Sequence, residues 1–297
     1  MPSFAHRLVV GYLRVSRRGR HYRSPEAARA RVEELRLRPP SYAPPKLPAV
    51  ELALDSASGW PVYTLTPTGT EPRGAVVYLH GGGWVNQIDG RHYRFAAGLA
   101  AAAATRVVLP VYPKLPNGHA IDVVEPVADL TAELAGRHGA VCLGGDSAGG
   151  QIALSAALVL RDRDELTLPR TILISPALDL TLSNPEIDRI APSDPWLKRP
   201  GLQEVASDWA GELPLSDPRV SPLAGELGGL GPLSVFCGTR DIVLADTRLM
   251  VEKARRAGVD VDFHEREGLV HVYPLLPTPE GAAARRTIAE RVREAIG

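Results

Sequence analysis

Three short islands, far apart in the chain, carry residue types that together suit acyl transfer. They are His80-Gly81-Gly82-Gly83-Trp84, Gly145-Asp146-Ser147-Ala148-Gly149-Gly150, and a late pair, Asp241 and His271. The middle island fits G-x-S-x-G, in which a serine stands on a strained turn between a strand and a helix. Glycines beside Ser147 leave room for that turn, because a Cβ there would strike the neighbouring strand. A serine hydroxyl is a weak nucleophile until a base removes its proton. His271 is the expected base, and Asp241 the acid that orients the imidazole without itself taking the proton. The tetrahedral intermediate puts negative charge on the former carbonyl oxygen. Backbone N–H groups of Gly82, Gly83 and Ala148 are placed to stabilise it, each contributing about 2.7–4 kcal/mol. Ala148 also opens a helix, whose dipole favours an anion. The chemistry expected is serine-dependent hydrolysis of a carboxylic ester.

Choices within these islands rest on their surroundings. The base must come from a loop after a late strand, which favours His271 in Gly268–Tyr273 over His264 at the end of Val259–Phe263. Asp241 follows the strand Leu233–Cys237 closely, whereas Asp246 is already one turn into a helix. Asp241 would also suit a helix N-cap, and the two roles are compatible. His80 reads as an anchor of the glycine loop.

Elements that could position these groups follow from the apolar pattern. Val50–Leu54 and Val62–Leu65 alternate like antiparallel strands. Ala75–Leu79, Arg106–Val111, Ala140–Leu143, Thr171–Ile174, Leu233–Cys237 and Val259–Phe263 are the candidate parallel strands. Helices are expected near Tyr93–Ala104, Val127–Ala135, Ala148–Leu160, Ala245–Ala257 and Pro279–Ile296, with Pro126 starting its helix because an interior proline would break it. The alternation means an α/β fold, a parallel sheet with helices on both faces. Asp260 and Asp262 make Val259–Phe263 an edge strand.

The N-terminal stretch reads as two helices. Phe4, Leu8, Tyr12 and Val15 form one stripe, with Arg7, Arg14, Arg17 and Arg18 elsewhere. The second runs from Pro25 to about Leu37 behind the N-cap Ser24. Residues 177–232 exceed what a crossover needs and hold Trp196, Leu197, Leu202, Val205 and Trp209 at helical spacing. The N-terminal helices (about 1–45) and about 177–215 are expected to form a cap on a single domain, the Phe4–Val15 stripe lying against the latter. Trp84, Trp196, Leu197, Leu202 and Trp209 are the expected substrate pocket. A closed apolar pocket gains about 0.8 kcal/mol per methylene until full, giving an optimum near butanoyl or hexanoyl.

Bulk composition excludes several classes. The 297 residues carry 34 basic and 34 acidic side chains, so no strong electrostatic pull toward nucleic acid or membrane is expected of the chain as a whole. Charge is uneven, however: residues 1–40 hold ten Arg against three Glu, a local net of +7. No apolar run approaches the ~20 residues of a membrane helix, and no secretory signal is visible, so a cytoplasmic protein is expected. Cys142 and Cys237 fall in interior strands and read as buried free thiols, as a reducing compartment favours. No histidine pair or cysteine cluster has metal-ligand spacing, and no loop fits a phosphate cradle.

The chain resembles the bacterial hormone-sensitive-lipase-like esterases in its HGGGW loop and GDSAGG elbow. The likeness extends to Ser175-Pro176-Ala177-Leu178-Asp179-Leu180, Val220-Ser221-Pro222-Leu223, Gly238-Thr239-Arg240-Asp241 and Gly268-Leu269-Val270-His271. It implies the α/β-hydrolase fold with an eight-stranded, mostly parallel sheet and a helical cap, and the triad Ser147, Asp241 and His271. It further implies an oxyanion hole of Gly82, Gly83 and Ala148, no cofactor, short- to medium-chain acyl esters as substrates, and a homodimer through the 259–263 edge. Tyr112-Pro113-Lys114-Leu115-Pro116-Asn117 departs from the Tyr-Arg-Leu-Ala-Pro-Glu stretch of many members, so the wall near Lys114 differs. The competing readings are an amidase or peptidase on the same fold, and a non-catalytic ligand-binding protein built on it.

Overall fold

The computed structural model describes residues 1–16, 18–57 and 59–297, so Arg17 of the basic run lies outside the described residues. Eight strands form one sheet: β1 (Val50–Ala57), β2 (Trp60–Pro67), β3 (Ala75–Leu79), β4 (Arg106–Pro110), β5 (Val141–Asp146), β6 (Thr171–Ile174), β7 (Leu233–Arg240) and β8 (Val261–Val270). Their order is β1-β2-β4-β3-β5-β6-β7-β8. β1 and β2 form an antiparallel hairpin joined antiparallel to β4, and the remaining pairings are parallel. This is the mostly parallel α/β architecture expected.

Side chains of a strand alternate between the faces of the sheet, so each face builds its own core. Val77 and Leu79 of β3 enter one core with α4 (Ala120–His138), α5 (Ala148–Asp164) and α8 (Leu244–Arg256). Val76 and Tyr78 enter the other with α3 (Gly90–Ala103) and α9 (Pro279–Ile296). Strands β3, β5 and β6 are buried along their whole length, as sandwiched parallel strands must be.

Two elements differ from the sequence reading. Helix α4 begins at Ala120, so Pro126 lies inside it. Val123, Val124, Val127 and Ala128 are wholly buried on the sheet, and this packing offsets the ~3 kcal/mol an interior proline costs. Strand β8 runs on to Val270 instead of ending at Phe263. The polar run Glu265-Arg266-Glu267 hid that extension, because Arg266 and Glu267 face solvent on the sheet edge.

The N-terminal helices also part company. In α1 (Phe4–Val15) the buried face is His6, Val10 and Leu13, turned toward α9, with Ser3 bonded to Glu280. Phe4, Leu8, Tyr12 and Val15 point outward, 68%, 57%, 55% and 82% exposed, so this stripe is not the buried face expected against residues 177–232. Helix α2 (Pro25–Leu37) meets that segment instead. Capped by Ser24 as expected, it packs on α7 (Arg199–Ala210), with Arg29 paired to Glu204 at 2.5 Å. The short helix α6 (Glu186–Ile190) precedes α7. Among the described residues no helix is long and apolar enough to cross a membrane.

Candidate active site

Ser147 stands between β5 and α5 with φ 54° and ψ −117°, a conformation an L-residue adopts only under constraint. The constraint is local. Ser147 N–H donates to Ile174 C=O at 2.9 Å, and Ser147 C=O accepts from Gln151 N–H and Ala177 N–H, each at 3.1 Å. Glycines make the turn possible. A Cβ on Gly149 would overlap the Leu79 carbonyl of β3, and one on Gly145 would overlap the Gly149 backbone.

Strand register delivers the other two groups. Arg240 of β7 pairs with Val270 of β8, so Asp241 and His271 leave the sheet side by side, each one residue further on. His271 Nδ1 lies 2.8 Å from Asp241 Oδ2, and His271 Nε2 lies 2.9 Å from Ser147 Oγ. Asp241 is fully buried, and its other oxygen accepts Val243 N–H at 3.2 Å; Val243 and not Asp241 is the N-cap of α8, so the N-cap role expected of Asp241 is not the one it takes. Burial disfavours the charged imidazole of His271, but Asp241 outweighs it and holds the pKa above the usual histidine value. His264 is not part of this chain; it stacks on Phe236 at 4.5 Å beside Asp262. Asp246 accepts from Asn184 at 2.8 Å, away from His271.

The glycine loop is fastened from several sides. Gly82 and Gly83 have φ of 136° and 62°, where a side chain would be strained. Asp146 Oδ1 accepts from Tyr78 Oη at 2.9 Å and Gly81 N–H at 3.0 Å, and with the His92 imidazole these bonds hold its buried carboxyl below the usual range despite desolvation. His80 stacks on Tyr112, whose hydroxyl donates to His80 C=O at 2.5 Å. Burial keeps His80 neutral, in line with an anchoring role. Lys114 donates to Tyr112 C=O, and Leu115 N–H to Trp84 C=O. The Tyr-Pro-Lys departure therefore braces the loop from behind.

Residues 76–275 match the alpha/beta hydrolase fold family. The chain belongs to this family. It is 30% identical to an esterase of Acinetobacter venetianus, over 72% of this chain and 73% of that protein. An acetyl-hydrolase of Streptomyces hygroscopicus is 28% identical over 75% of this chain and 76% of its own. A crystal structure of an esterase from the bacterial hormone-sensitive lipase family superposes with a TM-score of 0.83 at 27% identity, covering 100% of both chains.

Two cavities of this hydrolase meet at Ser147. The larger, about 550 Å³, has His271, Gly81–Gly83, Tyr22, Arg31, Trp196 and Arg91 among its walls. The smaller, about 20 Å³, is a recess walled by Gly83, Trp84, Ala177, Leu180, Leu197 and Leu202. Four of the five expected pocket residues thus line a cavity. Trp209 does not: it is 0% exposed and lines neither. Its indole N–H and that of Trp84 both donate to Gln151 Oε1, at 3.1 and 3.0 Å, because a buried indole needs an acceptor.

Sequence reasoning missed two supports. Asn86 donates to Gly82 C=O at 2.9 Å and accepts from Arg31 of α2 at 2.9 and 3.2 Å, so the N-terminal segment reaches the glycine loop directly. Buried Asp194 accepts from Trp196 and Leu197 N–H at 2.7 and 2.9 Å and from Ile242 N–H at 3.0 Å, joining residues 177–232 to the loop that carries Asp241. Burial, with Asp241 nearby, pushes the Asp194 carboxyl up to about 6. Trp196 then stands edge-on to His271 at 5.8 Å. The partners that tie these supports to other segments, Arg31 and Ile242, lie 55 and 48 residues away and leave no local pattern.

Proposed function

We propose that Ser147, His271 and Asp241 form the catalytic triad, and that Gly82, Gly83 and Ala148 form the oxyanion hole. The protein is a carboxylic ester hydrolase. The observation that carries the reading is the unbroken chain Asp241–His271–Ser147, at 2.8 and 2.9 Å, on a serine held at the elbow. His271 Nε2 takes the Ser147 proton as Oγ attacks the ester carbonyl carbon, and Asp241 stabilises the imidazolium. The oxyanion is received by the backbone N–H groups. Collapse expels the alkoxide, which takes the proton from His271 Nε2, and leaves an acyl-serine. Water, deprotonated by His271, attacks that acyl group; release of Ser147 Oγ with the proton returns the enzyme and yields the acid. With 4-nitrophenyl acetate, a burst of nitrophenol and an acetyl group recovered on the Ser147 peptide at low pH are expected. A covalent acetyl group on any other residue defeats the assignment.

The cavities assign the two halves of the substrate. His271 must protonate the leaving oxygen, so the alcohol occupies the larger cavity, where His271 forms a wall. The acyl group then takes the 20 Å³ recess, which has room for about one water-sized group. This narrows the acyl range to its short end, toward acetyl. Forcing extra methylenes into a filled recess costs about 1–3 kcal/mol. The kcat/KM of nitrophenyl esters is therefore expected to fall roughly tenfold or more from acetyl to hexanoyl; an optimum at butanoyl or hexanoyl defeats this assignment of the recess.

Residues of α2, the turn Arg18–Tyr22 and the 177–232 segment act as the cap on a single domain, a role supported by Tyr22, Trp196, Leu197 and Leu202 on the cavity walls. The same segment steadies the oxyanion loop through Asn86. Replacing Asn86 by Ala should lower kcat roughly tenfold, well short of the loss of an oxyanion donor. An unchanged kcat would show that Asn86 does not set the loop.

Strand β8 is an edge of the sheet, as expected from Asp262 within it and Asp260 just before it, and we place a homodimer contact there. Light scattering at micromolar concentration should give twice the chain mass; a monomer at every concentration refutes it. Buried free Cys142 and Cys237 support a cytoplasmic protein.

A further inference from the structure

We propose that the outward face of α1 docks this hydrolase on an anionic lipid surface. The helix is two-faced in an unusual way. His6, Val10 and Leu13 hold it on the protein body, so it is already folded before it meets any partner. On the opposite side Phe4, Leu8, Tyr12 and Val15 fall on one stripe at the helical period, more than half exposed. Arg7 and Arg14, both exposed, run along one edge of that stripe, and the Arg7 guanidinium lies over the Phe4 ring at 5.8 Å. Aromatic and aliphatic side chains edged by arginines are the pattern of a helix lying in a membrane interface.

Charge selects the occupant. Helix α1 contains no acidic residue, and Arg20 and Arg23 follow it on the exposed surface. The carboxylate bonded at its start, Glu280, is engaged by Ser3. Residues 1–40 carry a net +7 while the chain is neutral, so the remainder carries −7. Such a molecule turns its basic end toward an anionic surface. A second copy of α1 would instead bring two arginine edges together. His21 and Tyr22, one short turn beyond α1, line the large cavity beside Ser147, so docking carries the cavity rim to the interface.

The test is sedimentation of the full chain with sucrose-loaded vesicles. Wild type is expected to sediment with an equal mixture of phosphatidylcholine and phosphatidylglycerol and to remain in solution with phosphatidylcholine alone. Leu8→Glu, and separately the pair Arg7→Glu and Arg14→Glu, should each lower partitioning roughly tenfold or more, and added salt should lower the wild-type value. Hydrolysis of nitrophenyl acetate without vesicles should be unchanged in these variants, which shows that they are folded. Leu249→Glu, at an exposed leucine of α8, should bind like wild type. Equal binding of wild type and Leu8→Glu, or equal binding to both vesicle types, overturns the proposal. So does a dimer in vesicle-free light scattering that Leu8→Glu dissociates, since the face would then belong to a second copy.

Discussion

Ser147→Ala is expected to abolish ester turnover, with kcat falling by roughly four to six orders of magnitude while the protein stays folded. The side chain removed is a small hydroxymethyl group bonded to His271 Nε2, so its loss empties no core. The elbow itself is held by backbone bonds to Ile174, Gln151 and Ala177, which alanine keeps. What remains after the substitution is the glycine loop and the cavity beside it, which as the proposed oxyanion hole and binding site would alone give only a small residual rate over water. A pure, folded variant retaining more than about a tenth of the wild-type rate would remove Ser147 from the mechanism.

The second large effect belongs to the base. His271→Ala should be as inactive as the serine variant, because Ser147 then has no group to take its proton. His264→Ala should keep most of the activity, since His264 lies against Phe236 on the outer strand. The reverse pattern would transfer the base to His264. A pH profile adds an independent check. The His271 pKa lies above 6.5: burial pulls it down, but the Asp241 carboxylate more than compensates. An imidazole whose pKa is raised stays protonated to higher pH and cannot accept a proton there. The acid limb of kcat/KM should therefore fall above pH 6.5, with full activity on its alkaline side. Replacing Asp241 by Asn should move that limb downward as well as lower the rate. A rate that stays flat down to about pH 4, far below the unperturbed histidine value, excludes a histidine base.

The legible parts of the site were those whose requirements are local. Ser147 and the glycines around it announce the elbow because one sharp turn demands small residues at fixed offsets, and the His80–Trp84 loop is read in the same way. Parallel strands β3 to β7 emerged from apolar runs, and helix α9 from its N-cap Thr278 and Pro279 and its spaced apolar positions, whereas only the start of β8 was legible. Helix α1 was read inside out, because both of its faces are apolar: Phe4, Leu8 and Tyr12 share the spacing of the true inner row, which also contains a histidine. Periodicity says that a stripe exists and cannot say which of two stripes is covered. Pro126 was misplaced because its cost is offset by residues packed from elsewhere in the chain. Asn86 and Asp194 were invisible for a related reason. The bonds that make them supports run to the Arg31 guanidinium and to Ile242 N–H, 55 and 48 residues away, and a bond over that distance leaves no pattern in either neighbourhood.

The pairing of Arg240 with Val270 limits how this protein can change its length. Neighbouring residues of a strand point to opposite faces, so deleting or inserting a single residue in the regular ladder of β7 and β8, before its irregularity between Gly238 and Arg240, turns everything beyond it over. Asp241 and His271 would then emerge on opposite sides of the sheet, too far apart to share a proton. Length variation is tolerable in the excursion between β6 and β7, where the chain already departs from the sheet, and two-residue steps are the smallest that keep acid and base in phase. Drift and engineering can remodel the cavity beside Ser147 from that excursion wherever the buried Asp194 and its bonds to Trp196, Leu197 and Ile242 are kept, while the two strands beneath behave as a reading frame.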